Sequence, residues 1–276
     1  MTPRPSRPSR PSRPSRPSRP SGTERGLGGE QVEGRRAVRE LLHAQRRPVR
    51  DVWVSDAVDD NALVAEIVDL ANAAGVPVRR VSRFQLDSEA HTEAAQGVLA
   101  HARPLPEVDL DDLCAAAPGG EATFLIVLDG ITDPQNLGAV LRTAEGAGAT
   151  GIVLPRHRAA HITPTVAKAA AGAIEYLPTA VVPGIPAALR TLADRGVWTV
   201  GLDGDADTPL WGLSLATEPV ALVLGAEGHG LSRLARARCD VVVAIPQRGH
   251  MTSLNVGAAA AIAAFEVARR RDERRD

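Results

Sequence analysis

Three loops of the sequence combine polar side chains with glycines or helix starts, and such loops can hold a ligand and act on it. In the first, Asp133 and Pro134 are typical of a helix start, with the aspartate as N-cap and the proline in the first turn. Asn136 then lies in the first helical turn. Arg142 lies off the apolar stripe, so its guanidinium can point toward the strand ends. Taken alone, Asn136 also fits a capping residue and Arg142 a solvated surface arginine.

The second and third loops carry the remaining candidate side chains. In the second, residues 224–230, Glu227 stands among glycines that let the backbone approach a ligand closely. In the third, residues 245–261, Ser253 is placed to cap an alanine-rich helix. Asn255 follows in the first turn, where backbone N–H groups are free for the oxygens of a ligand. A flexible turn around Glu227 and a purely capping Ser253 are the simpler alternatives.

Several other chemistries are disfavoured by the spacing of residues. The glycines Gly146, Gly148 and Gly151 match G-x-G-x-x-G, but they follow a predicted helix and precede a strand, which is the reverse of a dinucleotide-binding turn. His229 and His250 have no third ligand at metal-site spacing, so we expect no metal. No G-x-S-x-G or Walker sequence is present. Two cysteines exclude a disulfide scaffold.

The elements that must position these loops are buried strands alternating with helices, which predicts a parallel sheet covered on both faces. Ligands of such sheets bind outside the carboxyl ends of the strands, where the three loops begin. The predicted strands are continuous apolar runs at residues 124–128, 151–154, 197–200, 220–224 and 241–245.

The rest of the 276-residue chain divides by composition. Residues 28–102 alternate short helices and strands and predict a small α/β unit, and the proline-rich residues 103–121 predict a linker before the domain at 122–276. Residues 3–21 repeat Pro-Ser-Arg, so residues 1–27 are predicted to form a disordered tail. No apolar run approaches the length of a membrane span, and no secretory signal is recognisable, so we expect a cytoplasmic protein.

Charge is distributed unevenly along the chain. Residues 1–25 hold seven Arg and one Glu, whereas the remainder holds 25 basic and 32 acidic residues. A basic tail on an acidic body suggests a polyanionic partner such as RNA, although a solubilising tail is the simpler alternative.

Taken together, the three loops closely resemble the motifs of the SpoU (TrmH-like) family of RNA ribose 2′-O-methyltransferases. The resemblance spans residues 122–270, and it departs visibly from the family only at Gly257-Ala258, where relatives often have Ser-Val. The opening of the small unit around Glu33-Gly34 and its end at residues 96–98 are similar to the substrate-binding domain of the subgroup that methylates a guanosine of 23S rRNA. The matching motifs are Asn136-x-Gly138-x-x-x-Arg142, Leu224-Gly225-Ala226-Glu227-Gly228-x-Gly230, and Ile245-Pro246 through Ser253-Leu254-Asn255-Val256.

The resemblance implies a fold that the residues alone would not predict, since knots are very rare. Members of the family thread the C-terminal segment of the parallel sheet into a trefoil knot, bind S-adenosylmethionine there without a metal, and work as homodimers. The backbone around Gly225, Ile245 and Leu254 would then hold the adenosine and methionine parts of the cofactor, and Leu224 and Pro246 belong to the same binding set.

The implied reaction is methyl transfer from a sulfonium to a ribose 2′-hydroxyl, and its rate depends strongly on positioning. Arg142 corresponds to the residue proposed to activate that hydroxyl. Because arginine resists deprotonation, we give equal weight to Arg142 stabilising the developing alkoxide or binding an adjacent phosphate. The resemblance further implies that Asn136, Glu227, Ser253 and Asn255 orient Arg142, the ribose and the RNA backbone. Glu227 acting as a base is the less favoured alternative.

The substrate implied is a guanosine in the peptidyl-transferase region of 23S rRNA. Two other targets stay open for the same chemistry: tRNA, and an rRNA site whose methylation gives antibiotic resistance. Only the N-terminal unit distinguishes between these targets. A non-catalytic ribosome-assembly factor is the alternative from another class, and the retained set of motif residues argues against it. A small-molecule methyltransferase is weaker still, given the extra unit and the basic tail.

Overall fold

The fold is taken from a computed structural model, which describes residues 26–58, 61–92, 95–115, 121–157, 159–250 and 253–274. The predicted basic tail lies outside these residues except for positions 26 and 27, and part of the predicted linker, residues 116–120, lies outside them as well.

The N-terminal unit is a four-stranded sheet in the order β2-β5-β3-β4. Strands β2 and β3 both run antiparallel to β5, and β4 runs parallel to β3. Helices α1 and α2 cover one face and bury a core of valines, leucines and an isoleucine. Asn61 caps α2, as its position before the apolar periodicity predicts. The elements are β2 (Gln31–Glu33), α1 (Arg35–Ala44), β3 (Val49–Ser55), α2 (Ala62–Ala73), β4 (Val78–Val81), α3 (Arg83–Glu89) and β5 (Val98–Ala102).

Two short elements lie at the margins of this unit. Strand β1 (Gly26–Leu27) pairs antiparallel with β6 (Leu105–Pro106), and helix α4 (Leu110–Leu113) follows. The side chains of Leu27 and Leu105 are buried in the core of the C-terminal domain rather than in that of the unit they flank. The domain boundaries at residues 28, 102 and 122 stay predictions. The ribbon formed by β1 and β6 lies next to the boundaries at residues 28 and 102.

The C-terminal domain contains a seven-stranded sheet in the order β11-β13-β10-β12-β7-β8-β9, with every pairing parallel. All five strands predicted from apolar runs are confirmed, and β9 and β11 were not predicted. The trefoil knot stays a prediction. The elements are β7 (Phe124–Asp129), α5 (Pro134–Gly146), β8 (Gly151–Pro155), α6 (Pro164–Ala169), β9 (Thr179–Val182), α7 (Ile185–Asp194), β10 (Trp198–Leu202), β11 (Thr208–Pro209), β12 (Val220–Gly225), α8 (Arg233–Arg236), β13 (Val241–Ala244) and α9 (Val256–Glu273).

Helices cover both faces of this sheet, as continuous apolar strands require. Helices α5, α6 and α9 share one core with the sheet, and α7 and α8 share another core on the opposite face. Gly138 of α5 lets α6 approach closely, because a Cβ at this position would lie 2.3 Å from the Cβ of Ala169. This contact explains on packing grounds why a glycine stands between Asn136 and Arg142. Gly146 ends α5 and Gly151 begins β8, which confirms that these glycines form no dinucleotide-binding turn.

A buried ion pair joins the N-terminal unit to the C-terminal domain. The Nε of Arg47 donates to Oε2 of Glu175 at 3.1 Å, and the two side chains are only 4% and 1% exposed. Arg47 also donates to the carbonyl of Arg103 at 2.8 Å, and the neighbouring Arg46 donates to the carbonyl of Leu177 at 2.9 Å. These bonds fix the orientation of the N-terminal unit against the segment after α6.

Within the described residues, no helix is long and apolar enough to cross a membrane. Those residues also hold no group of three histidine, cysteine or acidic side chains that could bind a metal ion.

Candidate active site at the carboxyl edge of the sheet

The carboxyl ends of β7, β12 and β13 bring the three polar loops to one edge of the sheet. Strand β12 lies between β7 and β10, and β13 lies on the other side of β10. Because all these strands are parallel, the loops that follow them leave from the same edge, as the sequence predicts.

Asn255 connects the three loops at this edge. Its Nδ2 donates to Oδ1 of Asn136 at 2.9 Å and to Oε1 of Glu227 at 2.6 Å. The first bond joins residues 119 positions apart along the chain. One hydrogen-bonded network of Asn136, Glu227 and Asn255 therefore joins the three separate motifs.

Asn255, rather than Ser253, caps the last helix, which corrects the sequence-based assignment. The Oδ1 of Asn255 accepts from the N–H of Gly257 at 2.8 Å and of Ala258 at 3.3 Å, and α9 begins at Val256. Both residue types are good N-caps, so local sequence does not decide between them. Once Oδ1 faces the free N–H groups of α9, the amide places Nδ2 toward the other two loops.

The start of α5 agrees with its sequence signal. The carboxylate of Asp133 accepts from the N–H of Asn136 at 2.9 Å, and Pro134 occupies the first turn. The backbone N–H of Asn136 is thus satisfied by Asp133, and its side-chain oxygen is free to accept from Asn255.

Arg142 and Ser253 are not part of this network. Arg142 lies six residues beyond Asn136, about 9 Å further along the axis of α5 at 1.5 Å per residue. Its side chain is exposed, as its position off the apolar stripe predicts. Ser253 is exposed as well. Within the part of the chain that the structure describes, neither side chain forms a hydrogen bond or ion pair, so both are available to a ligand.

The loop after β12 is closed by its own backbone. Ala226 and Gly230 exchange two backbone hydrogen bonds of 3.0 and 2.9 Å. Gly225 permits this closure, because a Cβ there would lie 2.0 Å from the carbonyl carbon of Gly230. Asp129 anchors the same loop to β7 by accepting from the N–H of Ser232 at 2.7 Å. Sequence analysis missed Asp129, since only the pairing of β7 with β12 brings these residues together.

The residues that the sequence analysis expects to bind the cofactor are compatible with a cofactor bound at this edge. Ile245 and Pro246 are half-buried directly after β13, and the side chain of Leu254 is 39% exposed. They offer apolar surface beside free loop backbone, which is what an adenosine and a methionine chain require. Leu224 is buried in the core, so only its backbone can face a ligand. Gly225 likewise contributes backbone alone.

Comparison with known proteins gives two matches along the chain. Residues 123–265 match the model of the SpoU rRNA Methylase family, and residues 31–108 match the model described as RNA 2′-O ribose methyltransferase substrate binding. Together the two matches cover both the N-terminal unit and the domain that carries the site.

Curated relatives match over nearly their whole length. The 23S rRNA (guanosine-2′-O-)-methyltransferase RlmB of Yersinia pestis is 40% identical over 242 residues, which are 88% of this chain and 98% of that protein. RlmB of Pectobacterium atrosepticum is 39% identical with the same coverage. Among solved structures, the SpoU methyltransferase AviRb of Streptomyces viridochromogenes in complex with the cofactor AdoMet is 25% identical. It has a TM-score of 0.72 and covers 88% of this chain and 90% of its own.

Proposed function

The chain belongs to the SpoU rRNA methylase family, and on that premise we propose that it methylates the ribose 2′-hydroxyl of a guanosine in the peptidyl-transferase region of 23S rRNA. It is an S-adenosylmethionine-dependent RNA 2′-O-methyltransferase. Since ribosomal RNA is the substrate, the cytoplasm is its proposed place of action.

The observation that carries this proposal is the bridging amide of Asn255. A protein that only bound RNA would need free donors and positive charge on its surface, but no bonds between three separate loops. Here one side chain holds Asn136 and Glu227 in a fixed relation at the edge of the sheet where ligands bind. Such preorganisation favours a reaction in which two substrates must be aligned.

S-adenosylmethionine, when bound, supplies a methyl group on a sulfonium. We assign its apolar surroundings to Ile245, Pro246 and Leu254 and its backbone contacts to Leu224 and Gly225. The ribose oxygen would gain the methyl carbon as the bond from that carbon to sulfur breaks, the neutral thioether S-adenosylhomocysteine would be released, and the hydroxyl proton would pass to solvent water.

In this proposal Arg142 and Ser253 act on the RNA, and the Asn255 network holds the ribose in place. The guanidinium of Arg142, which has no hydrogen-bond or ion-pair partner among the described residues, can bind the phosphate beside the target ribose or stabilise its developing alkoxide. One oxygen of Asn136 and one oxygen of Glu227 each accept a hydrogen bond from Nδ2 of Asn255. These bonds fix which side of each loop faces the ribose.

The direct test is methylation of purified 23S, 16S and tRNA transcripts with labelled S-adenosylmethionine, followed by nuclease mapping of the product. We expect label on one ribose of 23S rRNA. Arg142→Ala should abolish methylation while leaving cofactor affinity nearly unchanged. Label confined to tRNA would show that tRNA, and not 23S rRNA, is the substrate. Full turnover by Arg142→Ala would remove this residue from the mechanism.

The proposal includes a homodimer, which is supported by an exposed apolar surface on helices α5 and α9. Phe265 is 52% exposed, and its ring lies beside Gly146 at the end of α5. Ala139 and Ala258 are exposed on the same two helices. We expect light scattering to give a dimer for the native chain and a monomer for Phe265→Glu. A native chain that stays monomeric at micromolar concentration would contradict the dimer.

A further inference from the structure

A groove of about 890 Å³ opens at the carboxyl edge of the sheet beside the candidate active site. Its walls come from the ends of β7 and β8, the segment between β9 and α7, and the loop between β12 and α8. Ala226, His229 and Gly230 of that last loop line the groove, whereas Glu227 of the same loop bonds to Asn255. One loop therefore borders both the catalytic network and the groove.

The groove lies where the connections of neighbouring strands diverge. The chain leaves β7 toward α5 on one face of the sheet, and it leaves neighbouring β12 toward α8 on the other face. Open parallel sheets bind ligands in the crevice formed at such a point. Its position therefore favours a ligand site over an accidental surface depression.

Three polar side chains of the groove are available to a ligand. Within the described residues, His157, His229 and Arg233 are exposed and form no side-chain hydrogen bond or ion pair. Asp129 is the one carboxylate among the described lining residues, and an oxygen of it already accepts from the N–H of Ser232. The groove therefore offers a cation and two imidazoles to an incoming anion.

The groove also has an apolar side. Pro155, Pro183 and Pro186 line it, and Leu234 of α8 is 63% exposed. Apolar surface next to arginine and histidine suits an unstacked nucleobase with its phosphate, since every base has a face to stack and every nucleotide carries a negative charge.

We propose that this groove binds a nucleotide of the substrate RNA that is adjacent in sequence to the methylated one. The base lies against Leu234 and the prolines, and its phosphate lies at Arg233. His229 is two residues from Glu227, a backbone span of at most about 7 Å, so an RNA strand that reaches Glu227 continues into the groove. The proposal rests on the proposed function, because it takes the RNA from the methylation reaction.

Arg233 and Arg238 provide a matched pair for the test. Both are exposed arginines of the same surface region, and neither forms an ion pair within the described residues, but only Arg233 lines the groove. Charge reversal at Arg233 is compatible with folding, since a glutamate is favourable in the first turn of a helix. The substitutions compared are Arg233→Glu, Leu234→Ser and Arg238→Glu in the full chain.

The measurement is the steady-state methylation of a 23S rRNA transcript, with KM for RNA and kcat determined at several salt concentrations. We expect Arg233→Glu to raise KM about tenfold or more, with the change concentrated in KM rather than kcat. The slope of log KM against log salt should fall by about one, as expected for one lost phosphate contact. Arg238→Glu should change KM less than twofold, and cofactor affinity should stay constant in all three variants.

Stacking is tested by 2-aminopurine placed next to the target guanosine. Its fluorescence should be quenched by the native chain and less so by Leu234→Ser. Equal KM values for Arg233→Glu and Arg238→Glu would overturn the groove proposal. So would a loss of binding to a ribosomal protein with unchanged RNA kinetics, since this would assign the groove to a protein partner. Absence of methylation by the native chain on any RNA would defeat the proposed function instead.

Discussion

The junction between the two parts of the chain and the carboxyl edge of the large sheet use the same residue types in opposite ways. At the junction, Arg47 and Glu175 are buried and satisfied by each other. On α5 and beside the groove, Arg142 and Arg233 are exposed and form no ion pair within the described residues. The chain thus buries and pairs charge where two bodies must keep one orientation, and it exposes charge at two positions where we propose that RNA binds. Burial and pairing therefore mark the structural arginine, whereas exposure alone does not identify a functional one, since the control residue Arg238 is exposed as well.

The largest effect on stability is expected from breaking the buried pair. Arg47→Met should lower the free energy of unfolding by about 3–5 kcal/mol, because it leaves the carboxylate of Glu175 buried without its partner. Arg195 and Asp111 form the matched exposed pair, at 2.9 Å with side chains 54% and 57% exposed. Arg195→Met should cost less than about 1 kcal/mol. Urea denaturation measures both, and equal losses would erase the contrast.

A second substitution separates the two roles of Asn255. Asn255→Asp keeps an oxygen that caps α9 but loses the donor to Asn136 and sets a carboxylate against Glu227. We expect kcat to fall about a hundredfold, the scale of a misplaced reacting group, with little change in stability. The matched control is Asn61→Asp, which keeps the cap of α2 far from the site. Unchanged kcat in Asn255→Asp would make the bridge incidental.

A third substitution concerns the contact of α5 with α6. Gly138→Ala should lower the free energy of unfolding by about 1–3 kcal/mol, because its Cβ would overlap Ala169. Gly146→Ala, at the end of the same helix, would meet only the ring of Phe265 at an ordinary 3.8 Å. It should be neutral or stabilising by up to about 1 kcal/mol. Thermal unfolding of both variants gives the comparison, and two equal values would refute the packing explanation of Gly138.

The last prediction concerns a thiol beneath the carboxyl edge. Burial, together with nearby Asp240 and Asp129, raises the pKa of Cys239 to about 12. Since the thiolate is the reactive form, its fraction at pH 8 is about a thousandfold below that of an ordinary cysteine. Iodoacetamide should therefore label Cys239 slowly in the native chain and rapidly in urea. Rapid labelling of Cys239 in the native chain would indicate that the structure around this thiol opens readily to solvent.

Local sequence predicted the elements whose signals lie within a few residues. The apolar runs of the strands and the pair Asp133-Pro134 at the start of α5 are such signals, and both are confirmed. Strand β9 was not predicted, because its four residues give only a short apolar run. The division into domains and the trefoil knot stay predictions.

The three residues of the hydrogen-bonded network could be named from the sequence, but their geometry could not. Asn136, Glu227 and Asn255 were identified from motif resemblance, while the bridging role of Asn255 depends on bonds across 119 and 28 positions. The choice between Ser253 and Asn255 as N-cap was wrong for the same reason: long-range bonds decide it. Arg233 and His157 had no local signal, because only the strand order brings them to one groove.

The ribbon formed by β1 and β6 determines how the N-terminal unit can be exchanged between members of this family. Because Gly26 pairs with Pro106, the chain enters and leaves the N-terminal unit at adjacent points. A unit whose two ends lie side by side can be replaced by recombination without altering the domain to which it is joined. Leu27 and Leu105, however, insert into the core of the C-terminal domain. A chimera that alters substrate choice should therefore be spliced outside residues 26 and 106, so that the donor brings its own ribbon and the cuts leave the paired strands intact.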